Sequence, residues 1–383
     1  MRSDVAAELI AGARYLGSSV LLTQGAGGNN SVKDFATDSL WIKASGVNLS
    51  QTTGTEGFVA IALGGACDVL NDPGLLSMAK DSAHEASVRR FAAAARTRNG
   101  LRPSLETGMH AALPQRVVLH SHSVYLNAFA CMLGGQQAAA QVLPAHHWLP
   151  YARPGFDLAI AIKTLAAQVT ATKPLAIMLE NHGFVVAASS TQETIAISES
   201  FVAAAQTFLG AVNSAWLAHQ PPTRELLSLI ERARRRTSEG PSYPCLFRAG
   251  RYQWFRAGIE QMAESALLPF VPDDVVYLGQ EMWRAPSLDQ AMAFLDSSLD
   301  SCRCLAMIVP KAGILFAAES EGLLDAMEES ALAHLLIASL ISHKGVPRPL
   351  TPQHIRELVT MESEKYRQQV AGGQTEEALG CKS

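Results

Sequence analysis

The first half of the chain alternates between short apolar runs with a strand period and longer stretches with a helical one. Its opening, MRSDVAAELIAGARYLG, is interrupted by Asp4, Glu8 and Arg14 and reads as an amphipathic helix near 4–16, neither a signal peptide nor a membrane span. Strands follow at 40–44 and 57–62, then helices near 82–97 and 104–112. A strand at 116–120, helices at 123–133 and 156–169, strands at 175–179 and 184–188 and a long helix from about 191 complete the series. This is the pattern of an α/β layer domain. The two prolines of HQPPTRELL at 219–227 break the long helix, and the texture changes beyond them. That divides the chain into a domain over 1–218 and a C-terminal α+β domain over 219–383. The second half predicts helices near 222–236, 252–265 and 287–296 and strands at 303–309 and 312–317, hinged at Lys311-Ala312-Gly313. Helices near 319–343 and 351–371 follow. No internal repeat or low-complexity run is visible. No GxGxxG follows a strand, so a dinucleotide-binding unit is unsupported.

The chain has 383 residues, 48% of them hydrophobic and 17% charged, the balance of a globular enzyme with large cores. No apolar run approaches the ~20 residues of a membrane helix. A net charge of −4 argues against a nucleic-acid binder. The one basic cluster, ERARRR at 231–236, lies in a helical pattern and reads as a solvated face. The six cysteines are scattered with no CxxC pair, which points to free thiols and a cytoplasmic setting. SCRC at 301–304 borders an apolar strand and reads as core packing.

Four stretches carry chemistry. In RVVLHSHSVYLNAF at 116–129, strand alternation puts Val118, His120 and His122 on one face, so two imidazoles project side by side as the start of a metal site. LTQGAGGNNSVKD at 22–34 is a glycine-rich turn whose N–H groups can approach an anion. A second small turn, KASG at 43–46, adds the charge of Lys43. In RPSLETGMHAALP at 102–114, Ser104 reads as a helix cap, Glu106 lies in the first turn and His110 falls one turn on. LAIMLENHGFVVAA at 175–188 is a buried strand, a polar turn and a second strand, and His182 in that turn offers a third ligand. His146 and His147, in a loop beside Trp148, are further substrate-pocket candidates.

Taken together, GGNNSVKD, KASG, PSLE, HSH and NHG resemble the motifs of the class II aldolase/adducin family over roughly residues 5–215. Within it, GGNNSVKD, LWIKASG, PSLETGMHAALP and YARPGFDLA look closest to the aldolase part of the bifunctional rhamnulose-1-phosphate aldolase/alcohol dehydrogenases. The downstream dehydrogenase domain of those proteins is not found here, and its activity is not inferred. The resemblance implies a class II aldolase-like α/β/α domain with a mostly antiparallel central sheet. It implies that His120, His122 and His182 bind a divalent metal, zinc in most of the family, with Mn2+ and Co2+ as alternatives. Glu106 becomes the acid/base residue, its pKa raised toward neutrality by desolvation. Gly28, Asn29, Ser45, Gly46 and Ser104 become the phosphate site, although Leu105 stands where the sugar-phosphate aldolases have a second serine. The implied activity is that of a lyase acting on a ketose, ketose phosphate or sugar acid through a metal-stabilised enediolate. Epimerase, dehydratase or decarboxylase chemistry, or an adducin-like non-catalytic role, are the alternatives. A small carbohydrate substrate and a homo-oligomer, with the tetramer favoured, complete the expectation, with no nucleic acid or membrane partner.

Overall fold

The computed structural model describes residues 1–97, 100–170, 172–238, 246–258, 264–297 and 304–361. Among the described residues, the larger of two sheets has seven strands: β1 (Asn29–Asp34), β2 (Ser39–Lys43), β3 (Phe58–Ala62), β4 (Val117–Ser121), β5 (His147–Leu149), β6 (Leu175–Leu179) and β7 (Gly183–Ala188). Their order is β3-β2-β1-β4-β7-β6-β5, antiparallel throughout except where β5 runs with β6. One face packs on the helix Ser3–Leu16, where Val5 and Leu9 meet Val32, Val117 and Leu119. The other packs on the helices Thr107–Ala112 and Phe156–Ala166, where Met109, Leu158 and Ile162 meet Val118, Ile177 and Val185. This is the mostly antiparallel α/β/α layering that the resemblance implies.

β1 is the departure. Its residues, NNSVKD, have poor strand propensity and read as the tail of a glycine turn. They form a central strand because β2 and β4 pair with it on both sides and each buried polar side chain finds a partner. Asn30 donates to the Leu9 carbonyl, Ser31 bonds His110, and the Lys33 ammonium donates to the Gln115 carbonyl. The long helix after β7 also ends earlier than expected. It spans Thr191–Leu209 and stops where Gly210 takes φ +89°, ahead of the two prolines.

The smaller sheet contains β8 (Leu246–Ala249), β9 (Trp283–Arg284), β10 (Leu305–Val309) and β11 (Gly313–Ala318), in the order β8-β11-β10-β9. That order corrects the expectation of no internal repeat, because it reproduces β4-β7-β6-β5. β8 and β10 flank β11 antiparallel as β4 and β6 flank β7, and β9 runs parallel to β10 as β5 does to β6. Leu179 faces Gly183 across one hairpin and Val309 faces Gly313 across the other. Asn181 and Lys311 occupy the same place in the two turns, and both adopt positive φ, 50° and 61°. Each hairpin leads into a helix capped by a serine, Ser190 or Ser320, whose hydroxyl accepts from the N–H three residues on. The ligand types do not repeat: Ala249 stands in the place of His120, and Ala312 in that of His182.

The two halves share the largest apolar core, in which Phe129 and Phe184 pack with Phe270, Phe316 and Leu335. The helix Glu321–Ser342 runs through it almost wholly buried, and the helix Pro272–Leu278 lies against it. Of the predicted second-half elements, helices are observed at Arg224–Ser238, Leu288–Ser297 and Pro352–Thr360, and short turns at Trp254–Ala257 and Glu264–Leu267. Residues 259–263 and 362–371, Arg303, and Cys245, Cys302 and Cys381 lie outside the described residues. Within ERARRR, Arg232 pairs with Asp296 on the exposed helix face. No helix among the described residues is long and apolar enough to cross a membrane.

Buried His84 makes the fold acid-sensitive. Burial, with Arg153 nearby, pushes its imidazole down to about 4 from the ordinary 6.5. Below pH 6.5 the unfolded chain takes up a proton that the folded one refuses. Its contribution is therefore present above that pH and is lost as the pH falls toward 4, at up to about 1.4 kcal/mol per pH unit. Urea midpoints at pH 7 and pH 5 should show a smaller acid loss in His84→Gln than in the wild type; equal losses would assign the sensitivity elsewhere.

Candidate metal centre

His120 and His122 emerge from the end of β4 on one face, as strand alternation requires. The β6–β7 turn carries His182 into the same space. Gly183 follows it because a Cβ there would lie 2.6 Å from the Ser121 carbonyl oxygen and 2.8 Å from Cε1 of His120. Glu106 arrives from the segment just ahead of the helix Thr107–Ala112. These four buried side chains can each present one ligand atom within 4.8 Å of all the others. Oε1 of Glu106 is 3.2 Å from Nε2 of His120 and 3.3 Å from Nε2 of His182, and the Nε2 atoms of His120 and His122 are 3.0 Å apart.

The outer ring nitrogens explain this convergence. Nδ1–H of His120 donates to the Phe184 carbonyl at 3.1 Å, and Nδ1–H of His122 donates to the Asp273 carboxylate at 2.9 Å. With Nδ1 protonated, each neutral ring turns an Nε2 lone pair inward. Lone pairs and a carboxylate aimed at one point repel one another unless a proton or a metal cation lies between them. Three imidazoles and one carboxylate form the donor set of a four-coordinate divalent metal, and the residues present fit one.

Electrostatics agree on the sign. Burial raises the Glu106 carboxyl, but the charge of His120 and hydrogen bonds from His120 and His182 outweigh it and hold the group well below the usual carboxylate range. This corrects the expected rise toward neutrality: Glu106 rests ionised, because its neighbours are bases that a proton or a metal turns positive. Burial pushes His182 down to about 4, whereas Glu106 draws His120 up despite burial. The pocket favours positive charge at its centre.

Gly28, Ser45, Gly46 and Ser104 line one narrow cavity with Ala26, Lys43, Leu105, Glu106 and His122. The Lys43 ammonium ties its two turns together, donating to the Ala26 and Val47 carbonyls at 2.6 and 2.9 Å. Asn29 points elsewhere: its Nδ2 donates to Oε2 of Glu106 at 3.4 Å. Ser104 is not the cap that the sequence predicts. The helix begins at Thr107 with Glu106 at its N-cap, and the Ser104 hydroxyl accepts from the Glu106 N–H at 3.2 Å. His110 bonds Ser31 at 2.7 Å, and burial pushes it down to about 3, so it is a neutral support and not a partner of the Glu106 carboxylate. His146 bonds the Pro144 carbonyl and His147 is exposed on β5; neither joins the cluster.

Sequence reading misses the second half's contribution. Besides Asp273, the Glu329 carboxylate accepts from the Gly25 N–H at 2.7 Å, and the Tyr277 hydroxyl accepts from the Ala26 N–H at 3.4 Å. Asn181 Nδ2 donates to the Phe270 and Arg348 carbonyls at 2.9 and 2.8 Å. The available signal is two carboxylates, Asp273 and Asp274, inside the apolar run PFVPDDVVYLG.

Residues 7–209 match the family described as Class II Aldolase and Adducin N-terminal domain. The oxidoreductase YuxG of Bacillus subtilis (strain 168), itself uncharacterized, is 29% identical over 204 residues, which are 50% of this chain and 28% of that protein. The match thus spans little more than a quarter of that relative. Among solved structures, the N-terminal class II aldolase domain of a conserved protein from Thermoplasma acidophilum is 28% identical with a TM-score of 0.46, covering 55% of this chain and 95% of its own. L-fuculose-1-phosphate aldolase from Thermus thermophilus is 16% identical with a TM-score of 0.36, covering 54% and 94%.

Proposed function

The chain belongs to the class II aldolase and adducin family, and from that membership and the geometry of its site we propose that it is a metal-dependent aldehyde-lyase. It cleaves or forms a carbon–carbon bond in a ketose, a ketose phosphate or a related sugar acid. The observation that carries this reading is the convergence of Glu106, His120, His122 and His182 in one buried cluster. A non-catalytic scaffold has no need to bury three imidazoles around a carboxylate.

His120, His122 and His182 would hold a divalent ion, zinc by the family resemblance, with manganese or cobalt as alternatives. When bound, it supplies Lewis acidity to the ketone oxygen and the adjacent hydroxyl. Glu106 moves the proton. In the condensing direction its carboxylate takes the proton from the carbon next to the ketone; in cleavage it takes up the proton that the hydroxyl on the departing carbon loses as the aldehyde forms, and then gives a proton to the carbon left behind. Asn29 holds Oε2 of Glu106, which keeps the carboxylate aimed while burial keeps bulk water away. Ser45, Gly46, Gly28 and Ser104 offer donors for a phosphate or carboxylate end of the substrate, with Lys43 supplying charge. Cys67 and Cys131 are free thiols, which suits a reducing cytoplasm, and the reading includes a homo-oligomer, a tetramer by resemblance.

The test is a screen of ketose phosphates and free keto-acids for aldehyde release, with metal restored to stripped protein. Metal-dependent cleavage of one of them is expected. Metal uptake with no turnover on any enolisable ketose would overturn the reading in favour of a binding role, and products of epimerisation, dehydration or decarboxylation would redirect it to those reactions. If the substrate carries a phosphate, Ser45→Ala should raise KM by about tenfold or more, the worth of one hydrogen bond to a charged acceptor, at little change in kcat. Inorganic phosphate should then compete. Indifference to both would point to an unphosphorylated acid.

A further inference from the structure

The repeated strand order and the contacts that cross between the halves belong together. β8, β11, β10 and β9 reproduce the order and register of β4, β7, β6 and β5, yet alanines replace two of the three histidines of the first unit. A copy that lacks two of the three histidines nevertheless touches three segments of the site: the glycine loop, the end of β4 and the β6–β7 turn. Asp273 takes the outer N–H of His122, Glu329 and Tyr277 hold the Gly25 and Ala26 N–H groups, and the carbonyls of Phe270 and Arg348 hold Asn181 beside His182.

We propose that the second half is a degenerate copy of the metal-bearing unit that now serves as a clamp within the same chain, and that Asp273 is the positioning residue through which it acts on the site. Asp273 is 3% exposed and lies against Gly27, where a Cβ would come within 2.8 Å of Nδ1 of His122, so the glycine loop is shaped around this contact. The adjacent Asp274 anchors the segment. Its Oδ2 accepts from the Phe270 N–H and the Val271 N–H at 2.7 and 3.2 Å and from Nδ1–H of buried His334 at 2.9 Å. His334 sits on the helix Glu321–Ser342, and its Nε2 faces the Ala266 carbonyl at 2.6 Å. One aspartate therefore fixes the clamp to its own core and the next reaches the ligand. A carboxylate on the outer nitrogen holds the His122 ring in one tautomer and strengthens Nε2 as a donor. It does not touch the reacting atoms.

This inference rests on the metal reading of the site, and its test separates the two. Stripped full-length wild type, Asp273→Asn and Asp273→Ala are titrated with Co2+, with affinity read by chelator competition and geometry by the visible absorption of the bound ion. Affinity is expected to fall about tenfold in Asp273→Asn and up to about 100-fold in Asp273→Ala, the range for an outer-shell carboxylate, with an altered spectrum in both. A second measurement needs no variant. In the zinc-loaded wild type labelled with 15N-histidine, the proton of His122 should reside on Nδ1. Unchanged cobalt affinity and spectrum in Asp273→Asn would overturn the inference alone; a His122 proton found on Nε2 would overturn the inference and take that nitrogen out of the ligand set. Failure of the wild type to take up cobalt would overturn the metal reading and the inference with it.

Discussion

Glu106→Gln lowers turnover by about 10²-fold or more, because the proton-transfer step loses its carrier while everything around it stays in place. Glutamine nearly matches glutamate in shape, and its amide oxygen can still accept from the Asn29 amide that faces Oε2 at 3.4 Å. Fold and oligomer should therefore survive. The alternative role for an acidic group at this N-cap position, complementing the dipole of a six-residue helix, gives a different result. Losing that role alone would cost a few tenths to about 1 kcal/mol of stability and leave catalysis nearly intact. Steady-state rates at matched metal occupancy, taken with the urea midpoint, separate the two outcomes. Turnover within a fewfold of wild type would remove Glu106 from the chemistry.

His182→Ala has the second large effect, and it falls on composition before it falls on rate. With three imidazoles the site should hold about one divalent ion per chain. Removing His182 leaves two imidazoles and a carboxylate that no longer surround the ion. Elemental analysis after dialysis should then show stoichiometric metal in the wild type and a marginal amount in the variant, with activity lost in parallel. The fold should tolerate the change, because Ala312 occupies the equivalent turn in the second hairpin and the backbone there keeps the same register. Retention of full metal content in His182→Ala would take the turn out of the ligand set.

What the sequence made legible was local. The HSH pair follows from strand alternation over three residues, and the NHG turn follows from a polar interruption between two apolar runs. β1 was hidden because NNSVKD forms a strand only through neighbours distant in sequence, and the Asn30, Ser31 and Lys33 side chains bond to Leu9, His110 and Gln115. The ionised state of Glu106 was hidden for a related reason: desolvation is visible in a motif, but two imidazoles within 3.3 Å of one oxygen are not. Asp273 lies 151 residues from His122 and carries no motif of its own. The internal repeat is carried by LAIMLENHGFVVAASS at 175–190 and LAMIVPKAGILFAAES at 305–320, which share apolar and small residues common to any buried hairpin, while the histidines that would advertise it are replaced by Ala249 and Ala312.

The central claim is that the chain's histidine cluster and Glu106 together labilise a proton next to a ketone. Its most direct test is the exchange of solvent deuterium into an enolisable ketose, followed by NMR as metal is titrated into stripped protein. The account predicts no exchange without metal, a rate that rises and levels off at about one ion per chain, and no such rise in Glu106→Gln at the same occupancy. Exchange at the full rate in metal-free protein, or its full recovery in Glu106→Gln, would contradict it.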